Sequence, residues 1–138
     1  MHGMGDFEAA AMLTEDERQQ SVVITDPSLA DNPIIYVSEE FEGQTGYAPE
    51  ECLGRNCRFL QGPDTDPKAI LAISAAIEAG TEITVDVLNY KKDGTEFWNR
   101  LRIRPLYDAE GNVRYFVGAQ NPISPEEVLS RPIEAIFD

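Results

Sequence analysis

The chain has 138 residues, which is the length of one domain, and 42% of them are hydrophobic, so a sizeable core is expected. Acidic residues outnumber basic residues 25 to 11, and the net charge of −14 disfavours binding to nucleic acids or anionic lipids. No apolar run approaches the ~20 residues of a membrane span, and the N-terminus lacks a signal-peptide pattern. We expect a cytoplasmic protein that binds neither nucleic acid nor membrane.

The chain contains one histidine, His2, and two cysteines, Cys52 and Cys57. One histidine excludes a Ser-His-Asp triad, a two-histidine zinc site and a credible haem ligand. Two cysteines form neither a disulfide framework nor a closed zinc site, so no metal site is predicted. The remaining possibilities are a binding module or chemistry carried by a bound cofactor.

The N-terminal segment is predicted to be helical. Phe7 and Ala11 lie four residues apart on one face, and Thr14 with Glu17 has the form of a capping box. This segment is expected to flank the core. The expected division of the chain is a helical cap over residues 1–20, a core over 21–122 and a helical extension over 123–138.

Two β-branched segments, SVVIT and IIYVS, begin the core and are predicted to be strands. Short helical segments follow, with Gly46 and Gly54 as stops. The longest helix is expected to begin at Asp66-Pro67 and to end at Gly80. Its predicted buried stripe consists of Ile70, Ile73 and Ile77.

Three long strands follow, and Asp93-Gly94 predicts a hairpin between the first two. The order of two strands, helices and three strands indicates an α+β fold with helices over one face of an antiparallel sheet. Ser124 is expected to cap a final helix that Pro132 interrupts, with no room for an output domain. The three strands are predicted over Ile83–Lys91, Glu96–Leu106 and Asn112–Gln120.

Strand alternation places three amides, Asn89, Asn99 and Gln120, at the ends of apolar rows on one face of the sheet. Burying an amide without partners costs roughly 1–3 kcal/mol. For any one amide, a hydrogen bond at a strand end is the simpler interpretation. Three converging amides favour a planar polar ligand, such as a heteroaromatic ring with carbonyl and NH edges.

The opposite face of the sheet also carries an apolar row, formed by Val113, Tyr115, Val117 and Ala119 with Trp98 beside it. Either the terminal helices of the chain or a second subunit could cover this row. The sequence does not separate the two arrangements.

The segment GRNCRFLQG, from Gly54 to Gly62, is the most specific motif. Cys57 lies between Asn56 and Arg58 at the start of a short predicted helix. Cationic and helix-terminal surroundings favour a reactive thiol over an inert one. Cys52, in a helical segment, fits a small buried hydrophobic residue instead.

This motif resembles the signature of the LOV (light, oxygen, voltage) subclass of PAS domains. The similarity extends over Val22 to Pro122 and includes ITDPSLADNPIIYVS, TGYAPEECLGRNCRFLQGPDTDP, LNYKKDGTEFWNRLRIRPLYD and YFVGAQNPI. The chain is most similar to short bacterial LOV proteins with helical flanks and no fused effector. The resemblance implies a five-stranded antiparallel sheet with helices that enclose one flavin, usually FMN.

The resemblance also implies residue roles. Cys57 matches the photoactive cysteine, and Gln120 matches the glutamine near nitrogen 5 of the flavin. Asn89 and Asn99 match the pair on the pyrimidine edge of the ring, and Arg58 matches an arginine on the ribityl phosphate. The other matching positions are Asn56 and Gln61 near the ring and its side chain, Val23, Leu60, Leu101 and Ile103 beside the ring, and Glu51 with Lys92 as a surface ion pair.

Ser74 departs from the family pattern, because many LOV domains have a second phosphate-binding arginine at this position. The loss of one charge-assisted contact predicts weaker FMN retention, or more tolerance of riboflavin or FAD. The cofactor is therefore expected to be FMN, with riboflavin or FAD as alternatives.

The function implied by the resemblance is a blue-light photosensor and not an enzyme. Blue light drives a reversible bond between the Cys57 sulfur and carbon 4a of the flavin, and Gln120 relays the change to the sheet and the flanking helices. The expected output is a light-dependent homodimer through the outer sheet face and flanking helices, or docking of a downstream protein. The alternatives are a redox-sensing flavoprotein and a PAS-like module for another ligand with a structural Cys57.

Overall fold

The computed structural model of the chain describes residues 3–129. Within them, six strands form one antiparallel sheet in the order β1-β3-β2-β6-β5-β4. The strands are β1 (Gly3–Gly5), β2 (Ser21–Thr25), β3 (Ile34–Ser38), β4 (Ile83–Tyr90), β5 (Glu96–Tyr107) and β6 (Val113–Ile123). The helices are α1 (Phe7–Ala10), α2 (Glu15–Arg18), α3 (Glu40–Thr45), α4 (Pro49–Cys52), a 3₁₀ helix (Cys57–Leu60), α5 (Pro67–Ala79) and α6 (Pro125–Leu129).

The α+β fold is confirmed, and the expected count of five strands is corrected to six. The additional strand, β1, pairs with the edge strand β3, where Gly5 lies opposite Tyr36. Gly5 has a φ of 120°, and a Cβ there would collide with the Ile35 carbonyl. A three-residue strand rich in glycine carries no alternating pattern, so the sequence could not show it. His2 and the expected interruption at Pro132 lie outside the described residues.

Helix boundaries follow the local chemistry of the sequence. Asp66 accepts a hydrogen bond from the backbone N–H of Lys68 and so caps α5, which ends at Gly80 in a left-handed conformation with a φ of 68°. Gly46, with a φ of 80°, ends α3 in the same way. Thr14 and Glu17 form the expected capping box at the start of α2.

The N-terminal helices cover part of the outer face of the sheet. Glu17 of α2 accepts hydrogen bonds at 2.6 and 2.8 Å from Arg104 of β5. The buried cluster between these helices and the sheet consists of Ala9, Ala10, Leu13, Val22, Ile24, Tyr36, Leu106, Tyr115, Val117 and Ala119. The chain itself therefore covers much of the apolar row that a second subunit could otherwise cover.

One assignment to the outer face is wrong. The pairing of β5 with β6 shifts where Leu106 meets Tyr115 and Tyr107 meets Val113, so Arg114 is an extra residue in the ladder. This irregularity breaks the alternation of side chains. Val113 consequently packs on the inner cluster that contains Phe116.

The inner face of the sheet packs under α3, α4, the 3₁₀ helix and α5. Ala69 and Ala76 are the buried residues of α5, whereas the predicted stripe Ile70, Ile73 and Ile77 is only partly buried. The small alanines bring α5 close to β4, and Ile73 and Ile77 lie over an internal cavity.

No helix in residues 3–129 is both long enough and apolar enough to cross a bilayer.

Candidate ligand-binding site

A cavity of about 100 Å³ lies between the inner face of the sheet and the helices over it. Its lining is mostly apolar with a few convergent polar side chains, which is typical of a small-molecule site. Strands β2, β4, β5 and β6 supply its floor, and the 3₁₀ helix and α5 supply its cover. All of the predicted site residues except Asn99 line it, namely Val23, Asn56, Cys57, Arg58, Leu60, Gln61, Asn89, Leu101, Ile103 and Gln120.

The three predicted amides form one hydrogen-bonded cluster. Asn99 is fully buried, and its Nδ2 donates to Asn89 Oδ1 at 3.0 Å and to Gln120 Oε1 at 2.6 Å. Its Oδ1 accepts from the backbone N–H of Asn121 at 2.9 Å. Gln120 Nε2 also donates to the Gly118 carbonyl at 3.1 Å. Asn99 thus lies behind the two amides that line the cavity and orients both of them.

The hairpin register explains why Asn89 and Asn99 meet. Asn89 pairs with Phe97 and Val87 pairs with Asn99, so the two amides are diagonal neighbours on the same face. A diagonal pair of long side chains is within reach of a hydrogen bond. The register therefore brings the two amides together diagonally and not directly opposite each other.

Cys57 is the first residue of the 3₁₀ helix, and its thiol faces the cavity. The side chain of Asn56 caps this helix by accepting from the Arg58 N–H at 2.9 Å. Burial, with a smaller contribution from the neighbouring Cys52, raises the pKa of the Cys57 thiol to about 12, and the positive charge of Arg58 does not compensate. The thiol therefore carries its proton at neutral pH, so any reactivity cannot come from a resting thiolate.

Cys52 behaves as the sequence suggests for a buried residue. It is fully buried in the cluster under α4, and its Sγ contacts the Ala48 carbonyl at 3.4 Å. Burial raises its pKa to about 11. Cys52 does not line the cavity, which makes it a natural control for experiments on Cys57.

An exposed ion pair lies at the mouth of the cavity. The Arg58 guanidinium donates from Nη1 and Nη2 to the two carboxylate oxygens of Asp31 at 2.6 and 2.7 Å. The Nδ2 of Asn56 donates to the backbone carbonyl of Asp31 at 2.8 Å. Ser74, on α5, is exposed. The cationic residue expected at a phosphate is thus present, but a carboxylate already engages it.

Asn32 is a cavity residue that the sequence analysis missed. Its φ is 47°, and its Oδ1 is buried without a hydrogen-bond partner among the described residues. A buried acceptor beside a cavity suggests a donor supplied by a ligand. The turn Asp31-Asn32-Pro33 was the available signal, because Asn adopts positive φ more readily than most residues. The other lining residues that were not predicted as site residues are Thr25, Ile73, Ile77, Val87, Phe116 and Gly118.

The surface ion pair implied by the resemblance is present. Lys92 Nζ lies 2.6 Å from Glu51 Oε2, and both side chains are exposed. The hydrogen bond from Lys92 is the main cause that lowers the pKa of Glu51. An exposed pair of this kind contributes little to stability because water screens both charges.

The sequence matches the PAS domain family over residues 19–125. The chain therefore belongs to the PAS domain family. Similar curated proteins are blue-light-activated histidine kinases, from Brucella anthropi at 47% identity over 120 residues and from Brucella ovis at 48% over 113 residues. The matches cover 87% and 82% of this chain, but only 24% and 23% of the kinases, so the chain spans about a quarter of their length.

Similar solved structures place the chain within the LOV subclass. A light-oxygen-voltage domain studied with a flavin analogue is 48% identical with a TM-score of 0.81, and the match covers 91% of this chain and 90% of that one. The dark structure of the Aureochrome1 LOV domain is 46% identical with a TM-score of 0.79, covering 90% and 88%. The LOV domain of the Erythrobacter litoralis EL346 kinase is 45% identical with a TM-score of 0.73, covering 76% and 96%. The LOV prediction is confirmed.

Proposed function

We propose that this LOV domain is a blue-light sensor that binds a flavin in the cavity and bonds it reversibly through the Cys57 sulfur. The observation that carries the proposal is the placement of one thiol and the amide cluster on the same cavity. The cavity also offers a buried acceptor without a partner, Asn32 Oδ1, which suits a polyhydroxylated side chain. These residues fit a flavin, which combines an apolar ring with carbonyl and NH edges.

In this proposal each part of the cavity has a separate role. Asn89 would hold the pyrimidine edge of the ring, Asn99 would orient Asn89 and Gln120 from behind, and Gln120 would face nitrogen 5. Arg58 is the candidate for the phosphate of FMN, with riboflavin or FAD as alternative cofactors. Asn56 and Gln61 would hold the ring and its side chain, and the apolar residues that would contact the ring are Val23, Leu60, Leu101 and Ile103. When bound, the flavin supplies the absorption of blue light and the electrophilic carbon that accepts the sulfur.

The chain itself controls where the proton and the signal go. Cys57 holds its proton in darkness because its pKa is raised to about 12, mainly by burial. A bond from its sulfur to carbon 4a of the flavin would therefore form as the S–H bond breaks and the proton passes to nitrogen 5 of the ring. Gln120 can match either a donor or an acceptor at the ring, because rotation of its amide exchanges oxygen for NH₂. Such a rotation would break the bond that Gln120 Oε1 accepts from Asn99 and the one that Nε2 donates to Gly118.

The proposed output is a change of interface. Ala119, next to Gln120, is buried against the N-terminal helices, so a change at Gln120 lies one residue from that contact. We propose a light-dependent homodimer through the outer sheet face and flanking helices, in a cytoplasmic setting. The cap, core and extension defined above are the proposed units of this response. Light scattering in darkness and in blue light tests the dimer, and an identical mass in both would contradict it.

An absorption spectrum in darkness, after blue light and during recovery tests the photochemistry. The wild-type protein should be yellow, with a structured blue band that light bleaches reversibly. Cys57→Ala should keep the colour, fluoresce and not bleach. Cys52→Ala is the matched control and should bleach like the wild type, because Cys52 does not line the cavity. The proposal would be refuted if light still bleached the blue absorption band of Cys57→Ala, or if the wild-type protein were colourless and did not bind added flavin.

A further inference from the structure

At the mouth of the cavity, Asp31 binds the Arg58 guanidinium through two parallel hydrogen bonds. Both terminal nitrogens donate to Asp31, at 2.6 and 2.7 Å, and the two side chains are 60% and 59% exposed. A bidentate arrangement of this kind is the one that Arg also uses to bind a phosphate. The carboxylate therefore uses the two donors of Arg58 that a bidentate phosphate would need.

Asp31 is held at this position by its backbone. Its φ is 68°, and its carbonyl accepts a hydrogen bond from Asn56, the residue that also caps the helix of Cys57. The hydrogen bonds from Arg58 lower the pKa of Asp31, so the carboxylate is charged at neutral pH. The negative charge is thus a fixed feature of the cavity mouth.

We propose, on the basis of the function proposed above, that Asp31 is a specificity-determining residue whose carboxylate competes with the flavin phosphate for Arg58. A phosphate that arrives here meets an ion pair with no net charge instead of a free cation. Ser74 on α5 is uncharged and exposed, so it adds no positive charge. The cavity therefore binds riboflavin and FMN with similar affinity, within about tenfold, since the phosphate gains little at a neutralised arginine.

The decisive variant is Asp31→Asn. Asparagine keeps the shape of the side chain and tolerates positive φ, so the turn is preserved. Dissociation constants for FMN and riboflavin are measured in darkness by quenching of flavin fluorescence. The variant should bind FMN about tenfold more tightly at low salt and riboflavin within twofold of the wild type, as expected for removing one charge beside a dianion. The gain should shrink as salt is raised.

A matched control removes a carboxylate from an ion pair of similar exposure elsewhere. Glu82 accepts from Arg102 at 2.9 Å, and the two side chains are 52% and 55% exposed. Arg102 points away from the cavity, because its neighbours Leu101 and Ile103 line it. Glu82→Gln should change the affinity for both flavins equally. A selective gain for FMN in this control would mean that net charge, and not Asp31, sets the preference.

A second variant keeps the test informative if Asp31→Asn does not fold. Arg58→Gln should make FMN bind several-fold more weakly than riboflavin, because Asp31 then repels the phosphate without compensation. The double variant should return the two affinities to parity. If both flavins bind and the FMN-to-riboflavin ratio is the same in the wild type and in Asp31→Asn, the role of Asp31 is refuted and the flavin site stands. If neither flavin binds the wild type, the proposed function fails and this inference fails with it.

Discussion

Asn99 offers a direct test of the amide cluster, because this residue joins three other groups without itself lining the cavity. Its side chain donates to Asn89 and Gln120 and accepts from the backbone of Asn121. The substitution Asn99→Ala removes these three hydrogen bonds. It also leaves the amides of Asn89 and Gln120 free to turn away from their present orientation.

The magnitude follows from the number of bonds lost. Three hydrogen bonds at about 1 kcal/mol each predict a loss of about 3 kcal/mol. Water in the cavity can hydrate Asn89 and Gln120, which reduces the expected loss to about 2–3 kcal/mol. Urea unfolding of the flavin-free protein, followed by circular dichroism, measures this difference. Flavin affinity should fall as well, because the two lining amides lose their common partner.

Asn121→Ala is the matched control. The Asn121 side chain makes one exposed hydrogen bond, at 3.3 Å, to the Arg100 carbonyl, and the backbone bond to Asn99 does not need that side chain. We expect a loss below about 1 kcal/mol and unchanged flavin affinity. If Asn99→Ala were no more destabilising than Asn121→Ala, the amide cluster would not be an organising element of the site.

Three further predictions concern the N-terminal segment and the proposed phosphate end of the cavity. Burial raises the pKa of Glu17, but the hydrogen bonds from Arg104 and Thr14 and the charge of Arg104 together hold it below its ordinary value of 4.5. Glu17→Gln should therefore lose about 1–2 kcal/mol above that pH, and the loss should fade in acid as Glu17 protonates. A difference in urea unfolding that does not depend on pH would contradict this. Gly5→Ala should release β1 from β3, because the added Cβ collides with the Ile35 carbonyl. The backbone amides at the β3 edge should then exchange hydrogen faster, and exchange that stays slow would contradict this prediction. Ser74→Arg should tighten FMN binding selectively over riboflavin, and equal affinities in titrations would dispose of the idea.

The sequence predicts most of the core elements because their local signals, such as caps and turns, agree with the tertiary fold. Proline and glycine mark both ends of α5, and the aspartate-glycine turn sets the β4–β5 hairpin. The prediction fails where a strand departs from strict alternation of its side chains. The irregularity at Arg114 moves Val113 to the other face of the sheet, and no residue in that strand predicts it. The strand β1 is missed because its stability comes from the partner edge and not from its own residues.

Site residues on strands can be predicted from the alternation of side chains, whereas site residues in turns cannot. Because side chains alternate along a strand, the sequence alone places Asn89, Asn99 and Gln120 on one face of the sheet. The positions of Asn32 and of the Asp31 carboxylate could not be predicted in this way, because residues in a turn with positive φ do not alternate between two faces. The pKa of Cys57 escapes it too, since burial depends on tertiary packing and opposes the nearby positive charge.

The covered outer face restricts how a light-dependent dimer could form. Val22, Val117 and Ala119 already pack under the N-terminal helices, so a second copy can reach them only if those helices move. The same helices are tied to the sheet through the pair of Arg104 with Glu17. Strand β6 contacts both the N-terminal helices and the cavity, because Ala119 faces the helices and its neighbour Gln120 faces the cavity. A light-dependent dimer through this apolar row therefore requires release of the N-terminal helices, and a dimer that leaves those helices in place must use a different surface.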